Sequence, residues 1–96
     1  MRVEYHPSFV DDLIAAEDFY LHHQHELKHE FRSGVLEAIE RVRKSPFHYA
    51  EVNGVRRAIL RRFPFSIMFR VVEGEFDRIL LLRHHKRHPA FEGSRK

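Results

Sequence analysis

The chain has 96 residues and a mass of 11.6 kDa, and 43% of its residues are hydrophobic and 32% charged, a composition typical of one small globular domain. It contains no cysteine, which excludes a disulfide scaffold, a thiolate zinc site and a catalytic thiol. No apolar run approaches the ~18 residues of a membrane span, and the first residues do not resemble a signal peptide. We therefore expect a cytoplasmic protein with one domain over residues 1–96.

The charge divides unevenly along the chain. Residues 1–50 carry 6 Lys/Arg and 9 Asp/Glu, a net charge of −3, whereas residues 51–96 carry 11 Lys/Arg and 5 Asp/Glu, a net charge of +6. A basic half attracts polyanions and acidic proteins through its long-range field. The C-terminal half is therefore expected to bind either a nucleic acid or an acidic protein.

The N-terminal half begins with a short predicted strand over residues 2–5, which ends at Pro7. Ser8 is expected to be the N-cap of a first helix that runs to about residue 23, and Asp11 and Asp12 suit the positive end of its dipole. Apolar residues recur at helical spacing in two stripes: Phe9, Leu13, Ala16 and Tyr20, then Phe31, Val35, Ala38, Ile39 and Val42. The second helix is expected to end before Pro46, and the two stripes predict an antiparallel helical hairpin.

The C-terminal half predicts three strands, over residues 55–63, 65–72 and 76–84, because β-branched, aromatic and aliphatic residues dominate these segments. Glu73 and Gly74 form a short hairpin turn between the last two. Residues 79–82 are apolar on both faces, as in a central strand. The element order β-α-α-β-β-β predicts an α+β fold, with the helices on one face of a mostly antiparallel sheet and arginines on the open face.

Four arginines bracket the first of these strands. In a continuous strand Arg57 and Arg61 point to one face and Arg56 and Arg62 to the other. Since a buried unpaired arginine is costly, at least one of these pairs is expected to face away from the helices. Arg83 can join that surface from a neighbouring strand, and guanidinium groups suit phosphate or carboxylate partners.

At this point the sequence resembles the RelE/ParE toxins of bacterial type II toxin–antitoxin systems, also known as plasmid stabilisation proteins. The residues that carry the resemblance are Tyr5-His6-Pro7, Val55-Arg56-Arg57, Leu60-Arg61-Arg62-Phe63-Pro64-Phe65, Ile79-Leu80, and His84 with Arg87-His88-Pro89. The resemblance covers nearly the whole chain in the right order. It implies the same small α+β fold and a toxin that is neutralised by a co-encoded antitoxin.

The resemblance also implies partners and binding residues. The antitoxin is expected to have an acidic or amphipathic segment that covers the basic face, alone or in a hetero-oligomer, and the toxin itself is a possible homodimer. The cellular target is DNA gyrase for a ParE-like toxin and the ribosome with its mRNA for a RelE-like one, and no cofactor is implied. The residues expected to bind the antitoxin or the target are Arg56, Arg57, Arg61, Arg62, Arg83 and Arg87.

Metal-free RNA cleavage needs a general base, cations for the phosphate charge and a general acid. If the chain is a ribonuclease, Glu51 is the candidate base, Arg61 the phosphate ligand and His84 the acid, with His88 as the alternative acid. The tail offers Phe91 where the RelE-like enzymes place a proton donor, and phenylalanine donates none. The sequence therefore favours the gyrase-binding ParE-like branch and leaves enzymatic activity open. A non-toxic basic nucleic-acid-binding module is the third interpretation.

Residues 25–29 match the H-E-x-x-H pattern of zinc metalloproteases. The match falls at the predicted junction of the two helices, where the continuous helix that such a site requires is not expected. With 9 histidines in the chain, a chance match is a real risk. No metal site is therefore predicted, and adventitious binding by His22, His25 and His29 is left open.

Overall fold

The computed structural model describes residues 2–86 of the chain. The helices and strands are β1 (Arg2–Tyr5), α1 (Pro7–His23), α2 (Lys28–Lys44), β2 (Glu51–Val52), β3 (Val55–Ile59), β4 (Phe65–Val72) and β5 (Phe76–His84). Single 3-10 turns at His25–Leu27 and Pro46–His48 follow the two helices. The element order agrees with the prediction except that β2, a strand of two residues, was not predicted.

The five strands form one mixed sheet in the order β1-β5-β4-β3-β2. β1 pairs with β5 in parallel, and every other neighbouring pair is antiparallel. β5 has a neighbouring strand on each side. This was predicted from residues 79–82, which are apolar on both faces of the strand. The α+β fold with a two-helix hairpin on a mostly antiparallel sheet is therefore confirmed.

The start of α1 differs from the prediction. His6, not Ser8, is the N-cap residue, and its Nδ1 accepts a hydrogen bond from the backbone N–H of Ser8 at 3.0 Å. Pro7 occupies the first helical position, where its fixed φ suits a helix and its missing N–H costs nothing. Ser8 consequently lies inside the first turn, and its backbone N–H is the donor to the capping side chain of His6.

The main core lies between the helices and one face of the sheet. Phe31 and Val35 of α2 and Ile67 and Phe69 of β4 are completely buried. Tyr20 of α1 joins the aromatic part of this cluster. Its ring centroid lies 4.9 Å from that of Phe31, a distance typical of favourable aromatic pairs. The predicted apolar stripes therefore do form the buried faces of the two helices.

A β-bulge in β5 changes which residues of this strand face the helices. Met68 of β4 pairs with Leu81, but the next residue, Phe69, pairs with Ile79, so Leu80 is an extra residue on β5. Leu80 and Leu81 consequently share one face with Met68, whereas Ile79 and Leu82 lie in the core under the helices. The bulge therefore decides which two of these four buried apolar residues lie on each face.

β3 is shorter than predicted, since it ends at Ile59 and not at Phe63. The backbone N–H of Phe65 donates to the carbonyl of Phe63 at 2.7 Å, and the N–H of Leu60 donates to the carbonyl of Phe65 at 3.0 Å. These bonds form a tight turn around Pro64, which cannot contribute a strand N–H. The strand alternation therefore does not extend to Arg61 and Arg62.

Within residues 2–86, no helix is long and apolar enough to cross a membrane.

Candidate functional site: the open face of the sheet

The open face is the face of the sheet opposite the helices. Strand register and side-chain alternation place the following residues on it: Arg57 of β3, Ser66, Met68 and Arg70 of β4, and Arg78, Leu80, Leu81 and Arg83 of β5. Met68, Leu80 and Leu81 form a second apolar cluster, which contains no helical residue. Arginines surround this small cluster, as the sequence predicted for a face away from the helices.

Arg57 and Arg83 lie close together on the open face. Ser66 pairs with Arg83, and Arg57 pairs with Met68, two residues further along β4. Burial lowers the pKa of Arg83, and the positive charge of Arg57 lowers it further. Arg57 is exposed and Arg83 is half-buried. This pair therefore places two neighbouring positive charges on the open face.

Arg56 has a different position. It lies on the helix side of β3, where its Nη1 donates to the carbonyl of Tyr49 at 2.5 Å and its Nη2 lies 3.8 Å from Glu51 Oε1. Its guanidinium carbon is also 5.2 Å from the ring centroid of Phe47. These contacts show that Arg56 fixes the segment before β2 in place, so it is not exposed alongside Arg57.

Arg61 and Arg62 belong to the β3–β4 loop and both contact α2. Arg61 Nε lies 3.7 Å from Glu37 Oε1, and Arg62 Nη2 lies 3.0 Å from Glu30 Oε2. Both side chains remain more than two-thirds exposed. Exposed ion pairs of this kind contribute little to stability, so both arginines remain available to a partner. The two point to the same side because they lie in a loop, contrary to the strand alternation that the sequence predicted.

The three residues of the hypothetical ribonuclease site do not lie together. Glu51 is on the edge strand β2, and the strand pairing places it level with Phe69, whereas His84 of β5 is opposite Phe65. Three strand spacings and four residues along the strands separate Glu51 from His84 by roughly 19 Å. The ring of His84 packs on Phe65 at 5.0 Å. Arg61 is directed towards α2, so the sheet assembles no base, cation and acid from this set.

Arg87, the last of the predicted binding arginines, lies outside the described residues, as does His88.

The H-E-x-x-H motif does not lie on one helix. His25 belongs to the 3-10 turn and His29 to α2. Among residues 2–86, no group of three or more histidines, aspartates and glutamates is arranged to hold a metal ion. His22 and His23 instead place their Nδ1 atoms 2.8 Å and 2.9 Å from the carbonyls of Asp18 and Phe19. These two histidines thereby satisfy carbonyl groups at the end of α1.

Comparison with known proteins identifies the family. The chain matches the family model of the ParE toxin of the parDE type II toxin–antitoxin system over residues 3–89. The chain belongs to the ParE toxin family. This ParE-family chain is also similar to a solved structure of the chromosomal ParDE system from P. aeruginosa, with a TM-score of 0.76 and 27% identity over 88% of this chain and 95% of that chain. None of the curated proteins is a significant match.

The family match establishes a type II toxin, and it agrees with the resemblance seen in the sequence. The candidate site residues predicted from the sequence of this ParE-family chain did not include Ser66 and His85. The side chain of Ser66 is completely buried, and its Oγ lies 2.9 Å from His85 Nε2. A serine among apolar residues of a central strand was the available signal, because a buried hydroxyl needs a partner.

Proposed function

We propose that this ParE-family toxin acts by binding DNA gyrase in the cytoplasm and that a cognate antitoxin neutralises it by covering the open face. The observation that carries the proposal is the pair Arg57 and Arg83, two neighbouring guanidinium groups on a sheet face that has no helix over it among residues 2–86. An acidic antitoxin segment supplies carboxylates that the exposed guanidinium group of Arg57 can bind.

The family match supports the choice of target, since the matching family model is that of ParE. Glu51 and His84 also lie far apart, so this pair gives the ribonuclease hypothesis no support, and the alternative acid, His88, lies outside the described residues. We infer that the toxin acts by occupying a surface of its target. Arg57, Arg61, Arg62 and Arg83 are the described arginines that we propose for contacts with the target or the antitoxin.

Expression in a bacterial host from an inducible promoter tests this proposal. Induction of the toxin should arrest growth and produce DNA breaks while the cellular mRNA stays intact, and co-expression of the antitoxin encoded beside the toxin gene should restore growth. Arg57→Ala should reduce the toxicity or the rescue, whereas Arg43→Ala, on the outer side of α2, serves as the matched control. Loss of mRNA without DNA damage would show a RelE-like activity, and normal growth with a stably folded protein would contradict a toxic function.

A further inference from the structure

The outer surface of the helical hairpin carries a row of exposed apolar side chains. Three of them recur at helical spacing on α1 and one lies on α2: Val10, Ile14, Leu21 and Leu36. Each residue is between 43% and 58% exposed, and no element among residues 2–86 covers them. An exposed apolar patch on a small domain marks a surface for a partner.

An ion pair between the two helices shows which residues of this row lie level with each other. Arg32 Nη1 of α2 donates to Glu17 Oε2 of α1 at 2.9 Å, and Glu17 is nearly buried. The helices run antiparallel and rise about 1.5 Å per residue, so Ile14 and Leu36, three and four residues from this pair, lie at nearly the same level. The groove beside the pair is lined by Ile14, Glu17, Asp18, Leu21 and Lys28. We call these residues, together with Val10, Arg32 and Leu36, the hairpin groove.

The two sides of the hairpin groove carry opposite charges. α1 has four Asp/Glu and no Lys/Arg, a net charge of −4, whereas α2 has five Lys/Arg and three Asp/Glu, a net charge of +2. Asp18 lies on the α1 side, and its neighbour His22, at 3.4 Å, compensates it only when the imidazole is protonated. Lys28 and Arg32 lie on the α2 side, and 56% of the Arg32 side chain stays exposed. A surface that is acidic along one side and basic along the other complements its own copy after a two-fold rotation.

We propose that the hairpin groove binds a second copy of this chain, in a dimer whose two-fold axis runs parallel to the helices. Rotation about this axis lays α1 of each copy on α2 of the other without changing the level of any residue. Ile14 of one copy then packs on Leu36 of the other, and Asp18 of one copy faces Lys28 of the other. A two-fold axis perpendicular to the helices would instead lay the acidic α1 on its own copy, which like charges disfavour.

The same charges disfavour the antitoxin as the occupant of this groove. The antitoxin segment proposed for the open face is acidic, and the acidic α1 would repel it. A second copy brings a basic α2 to each acidic α1. The hairpin and the open face lie on opposite sides of the sheet, so the dimer leaves both open faces accessible. Because gyrase inhibition is measured separately, a failure of the dimer leaves the proposed function untouched.

Light scattering on the purified toxin over a dilution series tests the dimer. The mass should approach twice the chain mass of 11.6 kDa at high concentration and fall towards 11.6 kDa on dilution. Leu36→Asp places a charge in the apolar centre of the interface, opposite the acidic α1 of the other copy, and should raise the dimer Kd by about tenfold or more. A mass of 11.6 kDa at every concentration would overturn the proposal.

Phe19→Asp is the matched control for Leu36→Asp. Phe19 is 54% exposed and Leu36 is 55% exposed, so neither change removes a core contact, and circular dichroism should show an intact fold in both variants. Phe19 lies about 140° around α1 from Ile14, outside the hairpin groove. Its substitution should leave the dimer Kd unchanged. An equal rise of the Kd in the two variants would overturn the proposal.

An exchange of charges tests the direction of the two-fold axis. Asp18→Lys and Lys28→Glu should each weaken the dimer, because each places like charges across the interface. An equimolar mixture of the two variants should dimerise again, since both contacts between the copies then join opposite charges. A mixture that stays monomeric would overturn the arrangement of α1 on α2.

Binding of the purified antitoxin decides whether the groove has a different occupant. Leu36→Asp should bind the antitoxin as tightly as the unaltered toxin does, because the dimer interface lies away from the open face. If Leu36→Asp instead abolishes antitoxin binding while the unaltered toxin is monomeric, an antitoxin helix occupies the groove and the proposal is overturned.

Discussion

Asp12 on α1 accepts a hydrogen bond from the backbone N–H of Leu82 on β5, at 3.1 Å, although the two residues are 70 positions apart in the sequence. β1 ends opposite Ile79, so among residues 2–86 no strand lies beside this edge of β5 beyond that residue. The carboxylate of Asp12 accepts the hydrogen bond that a carbonyl of a neighbouring strand would otherwise accept. The contact joins the N-terminal helix to the central strand and fixes how the hairpin lies on the sheet.

We expect Asp12→Ala to lower the free energy of unfolding by about 1–3 kcal/mol, because it leaves the nearly buried N–H of Leu82 without an acceptor. Asp11→Ala removes a neighbouring exposed carboxylate and should change stability by less than about 0.5 kcal/mol. Urea unfolding of the two variants makes the comparison. Equal stability losses would show that the helix dipole, and not the contact with Leu82, accounts for the role of Asp12.

Asp77 is buried on the helix side of β5, and neither of its carboxylate oxygens has a hydrogen-bond partner in the described part of the chain. Burial raises the pKa of Asp77, and the N-terminal ammonium offsets this only in part. The carboxyl group therefore keeps its proton to a higher pH in the folded state than in the unfolded chain. The contribution of protonated Asp77 to the free energy of unfolding is complete below the ordinary pKa of 3.8. It is lost as the pH rises through the raised pKa of the folded state.

Asp77→Asn should consequently stabilise the protein at pH 7, by on the order of 1 kcal/mol, since a buried amide costs less than a buried carboxylate. The gain should shrink as the pH falls and level off below 3.8, where the aspartate is protonated in both states. Chemical denaturation at several pH values measures this difference. A gain that is independent of pH would contradict the account.

Two glycines at positive φ offer a matched pair of substitutions. Gly54 has φ 79° and a Cβ there would lie 2.6 Å from Arg70 Nη1, whereas Gly74 has φ 77° with no atom within 4 Å of such a Cβ. Gly74→Ala should therefore cost only the backbone strain of about 1–2 kcal/mol. Gly54→Ala should cost roughly 1 kcal/mol more, because it displaces Arg70 from its 3.1 Å hydrogen bond to the carbonyl of Gly54. Identical midpoints of unfolding would rule out this role of Arg70.

Binding of the antitoxin should depend on salt. If Arg57 and its neighbours bind acidic side chains, the Kd should rise as sodium chloride is added, because exposed charge pairs are screened. Arg57→Ala should weaken binding and flatten the salt dependence, whereas Arg43→Ala should leave both unchanged. Isothermal titration calorimetry at two ionic strengths measures the effect. An affinity that does not respond to salt would indicate an apolar interface instead.

Much of the fold could be predicted from the sequence, because helical spacing and strand alternation reflect burial directly. Phe31 and Val35 on α2, and Ile67 and Phe69 on β4, lie in the core as their spacing predicted. The bulge at Leu80 could not be predicted, since an extra residue in an apolar run has no signature of its own. β2 was missed because two residues are too few for a periodic pattern.

The open face was predicted only in outline. Sequence alternation placed Arg57 and Arg56 on opposite faces, which is correct, but it also extended the strand through Arg61 and Arg62. The turn at Phe63–Phe65 and the acidic residues Glu30 and Glu37 of α2 decide where those two arginines point. A local sequence pattern contains no information about such long-range contacts.

The central claim is that the protein is a ParE-type toxin that acts on gyrase through its basic open face. Incubation of the purified toxin with DNA gyrase, supercoiled plasmid and ATP tests this claim most directly. The account predicts accumulation of gyrase-bound cleaved plasmid, its loss in Arg57→Ala and its prevention by excess antitoxin. Undisturbed gyrase activity, together with cleavage of mRNA on added ribosomes, would contradict it.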